Sequence, residues 1–344
     1  MGILSSVNDP RTVSLSDIPA DQIRLLTKVA RMYHERGMRQ PQIAEQLHIS
    51  QPRVSRLLKR AAGIGIVRTT VVTPRGVHAE IEERIEQAYD ISEVVVVDPG
   101  DQAGEREVLP ALGSAAAAYL ETTLMGDERI GVSSWSATLL ETVESMSPRP
   151  TPVADRVVQM LGGVGNVTAQ TQATRITGRL AQLTGATPVF LPAPGLLASG
   201  DMRQMIVTDP NIESALAACE DLTTALVGIG SVTPSALLRE SGNAFGENEL
   251  PELHTAGAVG DVCIRFFDEH GAHLRTALDE RVLGISADTL RRVPRRVGVA
   301  GGTRKHTAIK AALLGGWINV LITDLQTAAW LAEPAARADL PPAG

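Results

Sequence analysis

Aromatic residues are scarce in this 344-residue chain, at 3%, with four Phe, three Trp and three Tyr. So few rings argue against the stacking platforms that grip single-stranded nucleic acid. Cysteine is nearly absent, and Cys219 and Cys263 lie far apart in sequence. That excludes a disulfide scaffold and leaves two thiols expected to be free and reduced. No Cys/His spacing fits zinc, so no metal or other cofactor is expected. No apolar run approaches the roughly 18 residues of a membrane span, and no long apolar stretch of signal type opens the chain. Together these absences predict a soluble, cytoplasmic protein without a membrane partner.

Hydrophobic residues make up 44% of the chain, enough for two domains with a real core in at least one. Charge is unevenly spread. Arg24 to Arg68 holds ten Lys/Arg against two acids, Glu35 and Glu45, a net +8. The whole chain carries −7, which leaves −15 for the remainder. A basic island in an acidic chain suggests one part that meets a polyanion and a larger part that does not.

The island has a helix–helix–turn–helix–strand pattern. Gln22 to Gly37 reads as a first helix with two apolar stripes, Ile23, Leu26, Ala30 and Tyr33 on one and Leu25, Val29 and Met32 on the other. Pro41 suits the first turn of a second helix, with Ile43, Ala44 and Leu47 inward. His48-Ile49 forms the turn. Ser50 is placed to cap a third helix that runs to about Ala62. Val54, Leu57, Leu58 and Ala61 recur at inward spacing and leave Gln51, Arg53, Ser55, Arg56, Lys59 and Arg60 outside. Such a helix fits a major groove. Arg53 and Arg56 reach far enough for guanine edges, whereas Lys59, Arg60 and Arg31 suit phosphates, which position without reading sequence. Ile66 to Val72 is β-branched and reads as a wing strand. The plain alternative is a solvated basic helix that binds nothing. The agreement of charge, three-helix pattern, cap and wing favours a winged helix-turn-helix on double-stranded operator DNA. The stretch VARMYHERGMRQPQIAEQLHISQPRVSRLLKRAAGIGIV resembles the N-terminal domain of SorC-type bacterial transcriptional regulators. Pro41 stands where that family commonly has an acidic residue.

Gly76 to Tyr89 is helical in period, with Ile81, Ile85 and Ala88 on one side and Glu80, Glu82, Glu83 and Glu86 on the other. It reads as a connecting helix, or equally as the first helix of a second domain. Beyond it strands and helices alternate. Strands are expected at Val94–Val97, Arg129–Ser133, Val157–Leu161, Pro188–Leu191, Thr224–Ile229, Val259–Phe267, Arg296–Ala300 and Val320–Thr323. The alternation predicts an α/β domain with a doubly wound, largely parallel, Rossmann-like sheet. Expected boundaries are 20–73 for the DNA-binding domain, 74–90 for the connector and 91–333 for the α/β domain, with a disordered tail at 334–344.

Ligands of such sheets sit outside the carboxyl ends of the strands. Gly- and Ser-rich segments fall there, including Gly162-Gly163, which are taken as effector-binding candidates. Gly131 to Thr138 offers small hydroxyl residues leading into a helix, either an anion cradle or an ordinary βα turn with a serine cap. Gly301 and Gly302 let backbone approach a ligand, and Lys305 follows at a helix start. A cation there is unfavourable without an anionic partner; Lys305 is suited to a phosphate or carboxylate, or to a Schiff base if desolvated. Asp261 is an acid inside an apolar strand pattern, a partner for sugar hydroxyls or a capping aspartate.

Several stretches resemble the sugar-binding domain of the SorC family: GVSSWSATL, QMLGGVG, LPAPGLL, ALVGIGSV, GAVGDVCIRFFDEHG, DERVLGIS, VAGGTRKHTAIKAALLGGWINVLITD and TAAWLAE. In that family the domain is similar to glucosamine-6-phosphate deaminase and ribose-5-phosphate isomerase, and binds phosphorylated sugars or related small carbohydrates. The resemblance implies Ser133, Ser134, Ser136 and Thr138 around a phosphate, Asp261 and Lys305 near the sugar, and a homodimer or homotetramer. The family's phosphate loop usually reads Trp-Gly-Arg-Thr, but here it is Trp135-Ser136-Ala137-Thr138, without the Arg. Its glycine after Asp-Val-Cys is Ile264, which narrows the pocket wall.

The sequence therefore reads as a transcriptional regulator, not an enzyme, whose operator binding answers to a sugar or sugar-phosphate effector. An alternative is a sugar-phosphate isomerase or deaminase with a DNA-binding appendage. Against it, His254, His270, His273 and His306 are scattered, and only Asp261 with Lys305 makes a plausible acid/base couple. A DNA-organising protein without an effector is a third class, which the long α/β domain disfavours.

Overall fold

The computed structural model describes residues 18–67, 76–100, 105–164, 167–234, 239 and 249–333. The chain divides into two compact units, Met1–Val72 and Thr73–Gly344. The first holds α1 (Ala20–His34), α2 (Gln40–Leu47) and α3 (Gln51–Gly63). Helices this short are marginal alone and need tertiary packing. α1 supplies it on two sides, as its double stripe predicts. Val29 and Met32 pack with Ile43, Ala44 and Val54, while Leu26 and Ala30 pack with Ala61. Each of the larger side chains among these, Leu26, Val29, Met32, Ile43 and Val54, contributes about 1.5–3 kcal/mol on burial. Tyr33 departs from the expected stripe and stays exposed.

The connection from α2 to α3 is set by His48, in the left-handed region at φ 52°, which turns Ile49 back onto the core. Gln42 Oε1 accepts the Arg39 N–H at 2.9 Å at the start of α2. Ser50 occupies the N-cap position of α3, but its hydroxyl makes no capping bond. Ile66 and Val67 pack beside Leu26, Ala30 and Ala61. The rest of the expected wing, and the tail from 334, lie outside the described residues.

The second unit begins with α4 (Ala79–Tyr89) and a seven-stranded parallel sheet. Its strands are β1 (Glu93–Val97), β2 (Glu128–Val132), β3 (Ala154–Gln159), β4 (Thr187–Val189), β5 (Thr224–Gly228), β9 (Arg295–Val299) and β10 (Val320–Asp324), in the order β1-β10-β9-β5-β2-β3-β4. β6 (Gly230–Ser231), β7 (Gly260–Val262) and β8 (Arg265–Phe267) form a separate antiparallel sheet. The single strand expected at Val259–Phe267 is therefore a hairpin, reversed at Cys263-Ile264. The helices are α5 (Glu105–Thr123), α6 (Ala137–Ser145), α7 (Val167–Thr184), α8 (Gly200–Ile206), α9 (Pro210–Ala217), α10 (Glu249–Thr255), α11 (Ala287–Arg292), α12 (His306–Leu314) and α13 (Leu325–Ala332). The sheet is covered on both faces. Leu120, Leu139 and Ile176 from α5, α6 and α7 join one core, and Ile85, Ile309 and Leu331 from α4, α12 and α13 join the other.

β1 is an edge strand, and α4 closes it. Ile85 and Tyr89 are buried against the sheet. Glu86 Oε1 accepts the Val94 N–H at 2.8 Å, and Glu82 Oε1 accepts the Val96 N–H at 2.9 Å. Two glutamates that the sequence places on the outer side of a helix thus satisfy edge amides that would otherwise invite pairing with another chain. α4 belongs to the second unit as its first helix.

All three tryptophans, Trp135, Trp317 and Trp330, lie in the second unit, so their fluorescence follows its unfolding. The double variant Glu82→Ala/Glu86→Ala is expected to lose about 2–3 kcal/mol in urea titrations read by this signal, the cost of two unsatisfied edge amides. An unchanged midpoint and slope would contradict the role assigned to these carboxylates.

Candidate functional site

In the sheet order, the chain runs from β2 through β3 to β4 on one side and from β5 through β9 to β10 on the other. Successive connections part between β2 and β5, the place where open α/β sheets bind ligands. A cavity of about 610 Å³ opens there, beyond the carboxyl ends of β2, β5 and β9, and the small β6–β7–β8 sheet forms one wall. Its volume is in the range of small-molecule sites.

Ser133, Ser136, Thr138, Asp261, Gly301, Gly302 and Lys305 line this cavity together. The sequence draws them from three loops spread over 170 residues. Ser136 also caps α6, its hydroxyl accepting the Leu139 N–H at 3.3 Å, so this segment is a βα turn with a serine cap that also lines the cavity. Three candidates stand elsewhere. Ser134 is fully buried and donates its hydroxyl to Leu161 O at 2.8 Å while accepting from Gln159 Nε2 at 3.0 Å. Gly162 packs against the backbone of Ala193 and Pro194, and Gly163 against Gln159, where a Cβ would overlap these neighbours. These glycines serve close packing behind the wall.

Asp261 lies on β7 opposite Gly230 of β6, and a side chain at Gly230 would overlap its carboxylate. Burial pushes the Asp261 carboxyl up to about 6, although the Ile264 N–H (2.9 Å to Oδ2) and the nearby Lys305 charge pull the other way. A buried carboxyl in a cavity is suited to hydroxyl groups, whose O–H groups give it the hydrogen bonds it needs.

The Gly301-Gly302 loop is held by a residue that sequence reasoning missed. Asp324, buried at the end of β10, accepts the Gly302 N–H at 2.7 Å and the Thr327 hydroxyl at 2.7 Å on Oδ2. Its Oδ1 accepts the Thr327 N–H at 2.9 Å and caps α13. A Cβ on Gly301 would overlap this carboxylate, and Gly302 adopts φ 90°. The signal was present in the sequence: an acid ending an apolar strand, with Thr three residues on, is a helix start. Beyond the loop, His306 stacks on Trp330 at 4.8 Å, and burial holds its imidazole below the usual range.

Arg239 and Arg304 also line the cavity and add to the cation at Lys305, so cations outnumber acids among the described lining residues. Neither arginine was singled out from the sequence. Trp135, Leu161 and Ile264 form an apolar part of the wall. Trp135 is fixed by its Nε1–H donated to Gly162 O at 3.0 Å. Cys263 and Ile264 make the two-residue β7–β8 turn with φ 54° and 60°. For side chains other than glycine this costs about 1–2 kcal/mol each. Arg265, the next residue, is buried and anchors the turn through Asp279 Oδ1 at 2.8 Å and Ile285 O at 3.1 Å. Burial alone would raise the Asp279 carboxyl, but its bonds with His273 and Arg265 outweigh that and hold it low. Cys219 and Cys263 are free and buried, and burial pushes both thiols up to about 12, so neither is a nucleophile at neutral pH. His254, His270, His273 and His306 are absent from the described lining.

In the first unit, Gln51, Arg53, Arg56, Lys59 and Arg60 are exposed on α3 and Ser55 is half-buried, while Val54 and Ala61 face the core. One helix thus presents four cations to solvent. Arg31, expected among the phosphate contacts, is ion-paired with Glu35 one turn along α1 at 2.8 Å. That exposed pair is weak in water. Among the described residues no metal-holding cluster occurs and no helix is long and apolar enough to cross a membrane.

Comparison with known proteins fits this arrangement. A family described as "Putative sugar-binding domain" matches residues 76–333, and one described as "Homeodomain-like domain" matches residues 19–67. The deoxyribonucleoside regulator of Bacillus subtilis is 34% identical over 307 residues, covering 89% of this chain and 96% of the relative. The sorbitol operon regulator of Klebsiella pneumoniae is 31% identical over 313 residues, 90% and 98% of the two chains. The crystal structure of the full-length Klebsiella regulator superposes with a TM-score of 0.69 at 29% identity, covering 92% of this chain and all of that one. The sugar-binding domain of a transcriptional regulator from Pseudomonas syringae pv. tomato superposes at 0.60 with 38% identity, covering 75% of this chain and all of the domain.

The Asp261 carboxyl titrates higher in the folded chain than its ordinary 3.8. Between about pH 4 and 6 the folded chain keeps a proton that the unfolded chain releases. Stability contributed at this residue therefore falls as pH rises through that window and stays lower above it. Asp261→Asn removes the penalty. It is expected to melt higher than the parent at pH 8, by tryptophan fluorescence, with the gap closing towards pH 4. A gap that is the same at both pH values would contradict the buried-carboxyl account.

Proposed function

This chain belongs to the SorC-type family of sugar-binding transcriptional regulators, and we propose that its two units work as an operator reader and a sugar-phosphate sensor. It is a DNA-binding regulator whose operator occupancy an effector controls. In our reading α3 enters the major groove. Arg53, Arg56, Gln51 and Ser55 meet base edges there, and Lys59 and Arg60 meet phosphates. The exposure of all four cations on the helix face opposite its core residues supports this.

The effector is a phosphorylated sugar. The observation that carries this is the convergence of Arg239, Arg304 and Lys305 with Asp261 and the hydroxyls of Ser133, Ser136 and Thr138 in one cavity. Cations suit a phosphate, and a carboxyl suits sugar hydroxyls. Relatives named for deoxyribonucleoside and sorbitol metabolism agree with a carbohydrate-derived ligand. The site binds and does not turn over its ligand. Asp261, the acid among the described lining residues, is engaged by the Ile264 N–H, and no histidine is among those lining residues. Reading a two-fold operator calls for at least a dimer, so the protein works as a homodimer or homotetramer in the cytoplasm, where its DNA is. The effector regulates by binding the DNA-competent and incompetent arrangements with different affinity.

Arg53→Ala and Arg56→Ala are each expected to weaken operator binding by about 1–3 kcal/mol, measured by fluorescence anisotropy on fragments upstream of the protein's own gene. Unchanged affinity in both would remove α3 as the reader. Lys305→Ala is expected to bind the same operator yet no longer respond to sugar phosphate. A parental dose–response curve in that variant would remove Lys305 from the sensor, and steady turnover of the sugar phosphate would favour an enzyme instead.

A further inference from the structure

The Cys263-Ile264 turn stands in the wall of the cavity, and what it implies about the effector rests on reading that cavity as a sugar-phosphate site. A two-residue connection between antiparallel strands with positive φ at both positions is built without strain from Asn-Gly or similar pairs. Here the second position, at φ 60°, carries a β-branched residue, among the least suited to it. The reversal itself does not require isoleucine, since glycine makes the same turn freely. What Ile264 adds is its side chain. It is 2% exposed and shares one apolar cluster with Trp135 and Leu161, and all three line the cavity.

The polar and apolar parts of this wall are tied together. The Ile264 N–H donates to Asp261 Oδ2 at 2.9 Å, so the carboxyl sits against the backbone of the turn that carries the Ile264 side chain, and both line the cavity. A ligand that gives one hydroxyl to Asp261 has the apolar side chains of Ile264, Trp135 and Leu161 in the same wall. The indole N–H is already donated to Gly162 O, and the other two side chains have no polar atom. A hydroxyl turned to that surface would lose its water partners and gain none, whereas a CH2 or methyl group is at home there.

We propose that Ile264 is a specificity-determining residue that selects an effector with a deoxygenated carbon beside the hydroxyl bound by Asp261, a deoxy-sugar phosphate over its fully hydroxylated counterpart. The strain of the turn is retained because the apolar wall needs a side chain at this position.

Calorimetry on the full chain tests this with pairs that differ by one hydroxyl, 2-deoxyribose 5-phosphate against ribose 5-phosphate and 2-deoxyglucose 6-phosphate against glucose 6-phosphate. The deoxy member of at least one pair is expected to bind roughly ten- to a hundredfold tighter, the range over which an apolar pocket discriminates against a hydroxyl. Ile264→Asn keeps the left-handed turn and adds hydrogen-bonding groups, and it is expected to bring that ratio to within about threefold. Ile264→Gly removes both side chain and strain. It should collapse the ratio in the same way and serves if the Asn variant melts without a cooperative tryptophan transition. Equal binding within both pairs, or a preference that survives in the variant, overturns the role of Ile264 while leaving the sugar-phosphate reading intact. If none of the four binds the parent chain, the reading of the cavity falls, and the role of Ile264 falls with it.

Discussion

The sensor site depends on one buried carboxylate. Asp324 ends β10, the strand beside the edge strand β1, and its two oxygens serve two elements at once. One closes the first turn of α13 through Thr327, and the other holds the Gly302 amide. A charge buried this deeply persists only when it is fully hydrogen-bonded, and the amides and hydroxyl of the two segments meet that need. The geometry of Gly301 to Lys305 follows from it. A loop free of this tether would not keep Arg304 and Lys305 on the same cavity as Asp261. The tether also explains why two glycines precede the cations. The first leaves room for the carboxylate, and the second accepts the positive φ that turns the chain towards α12.

Much of this organisation was legible in the sequence because burial imposes periodicity. The run Val94 to Val97 belongs to a strand covered on both faces, and the double stripe of α1 reflects its two partners, α2 and α3. The grouping of Ser133, Ser136, Thr138, Asp261, Gly301, Gly302 and Lys305 followed from strand ends, since a doubly wound sheet collects its loops at one edge. What remained hidden has physical reasons. The β7–β8 hairpin has no turn signal, because Cys263 and Ile264 occupy positions where Gly, Asn or Asp would announce a reversal. Ser133 and Ser134 are neighbours of identical chemistry, and only the fold shows that the second spends its hydroxyl on Leu161 O. Gly162 and Gly163 lie beside the site for packing reasons that their sequence context does not distinguish from ligand approach. Glu82 and Glu86 look like solvent-facing acids until the edge amides of β1 supply their partners.

Charge divides the chain along the same line as structure. The basic helices gather four exposed cations on α3, where bound DNA would neutralise them and release counterions. The acidic α/β unit sets Arg239, Arg304 and Lys305 on a cavity, while other arginines, Arg175 and Arg292 among them, stay exposed at its surface in ion pairs with glutamates. A surface of opposite sign around such a cavity does not draw anions from a distance, so selectivity in the proposed site would rest on short-range fit: cations for a phosphate, a carboxyl for hydroxyls and an apolar wall for what remains.

The central claim is that the two activities are linked, and linkage is reciprocal. If sugar phosphate alters operator affinity by a given factor, operator DNA must alter sugar-phosphate affinity by the same factor. The direct measurement is calorimetric titration of sugar phosphate into the full chain, alone and saturated with an operator duplex, set beside operator affinities with and without the ligand. The account predicts two dissociation constants for sugar phosphate whose ratio equals the ratio of the operator affinities. Identical affinity for the ligand in the presence and absence of DNA would contradict it.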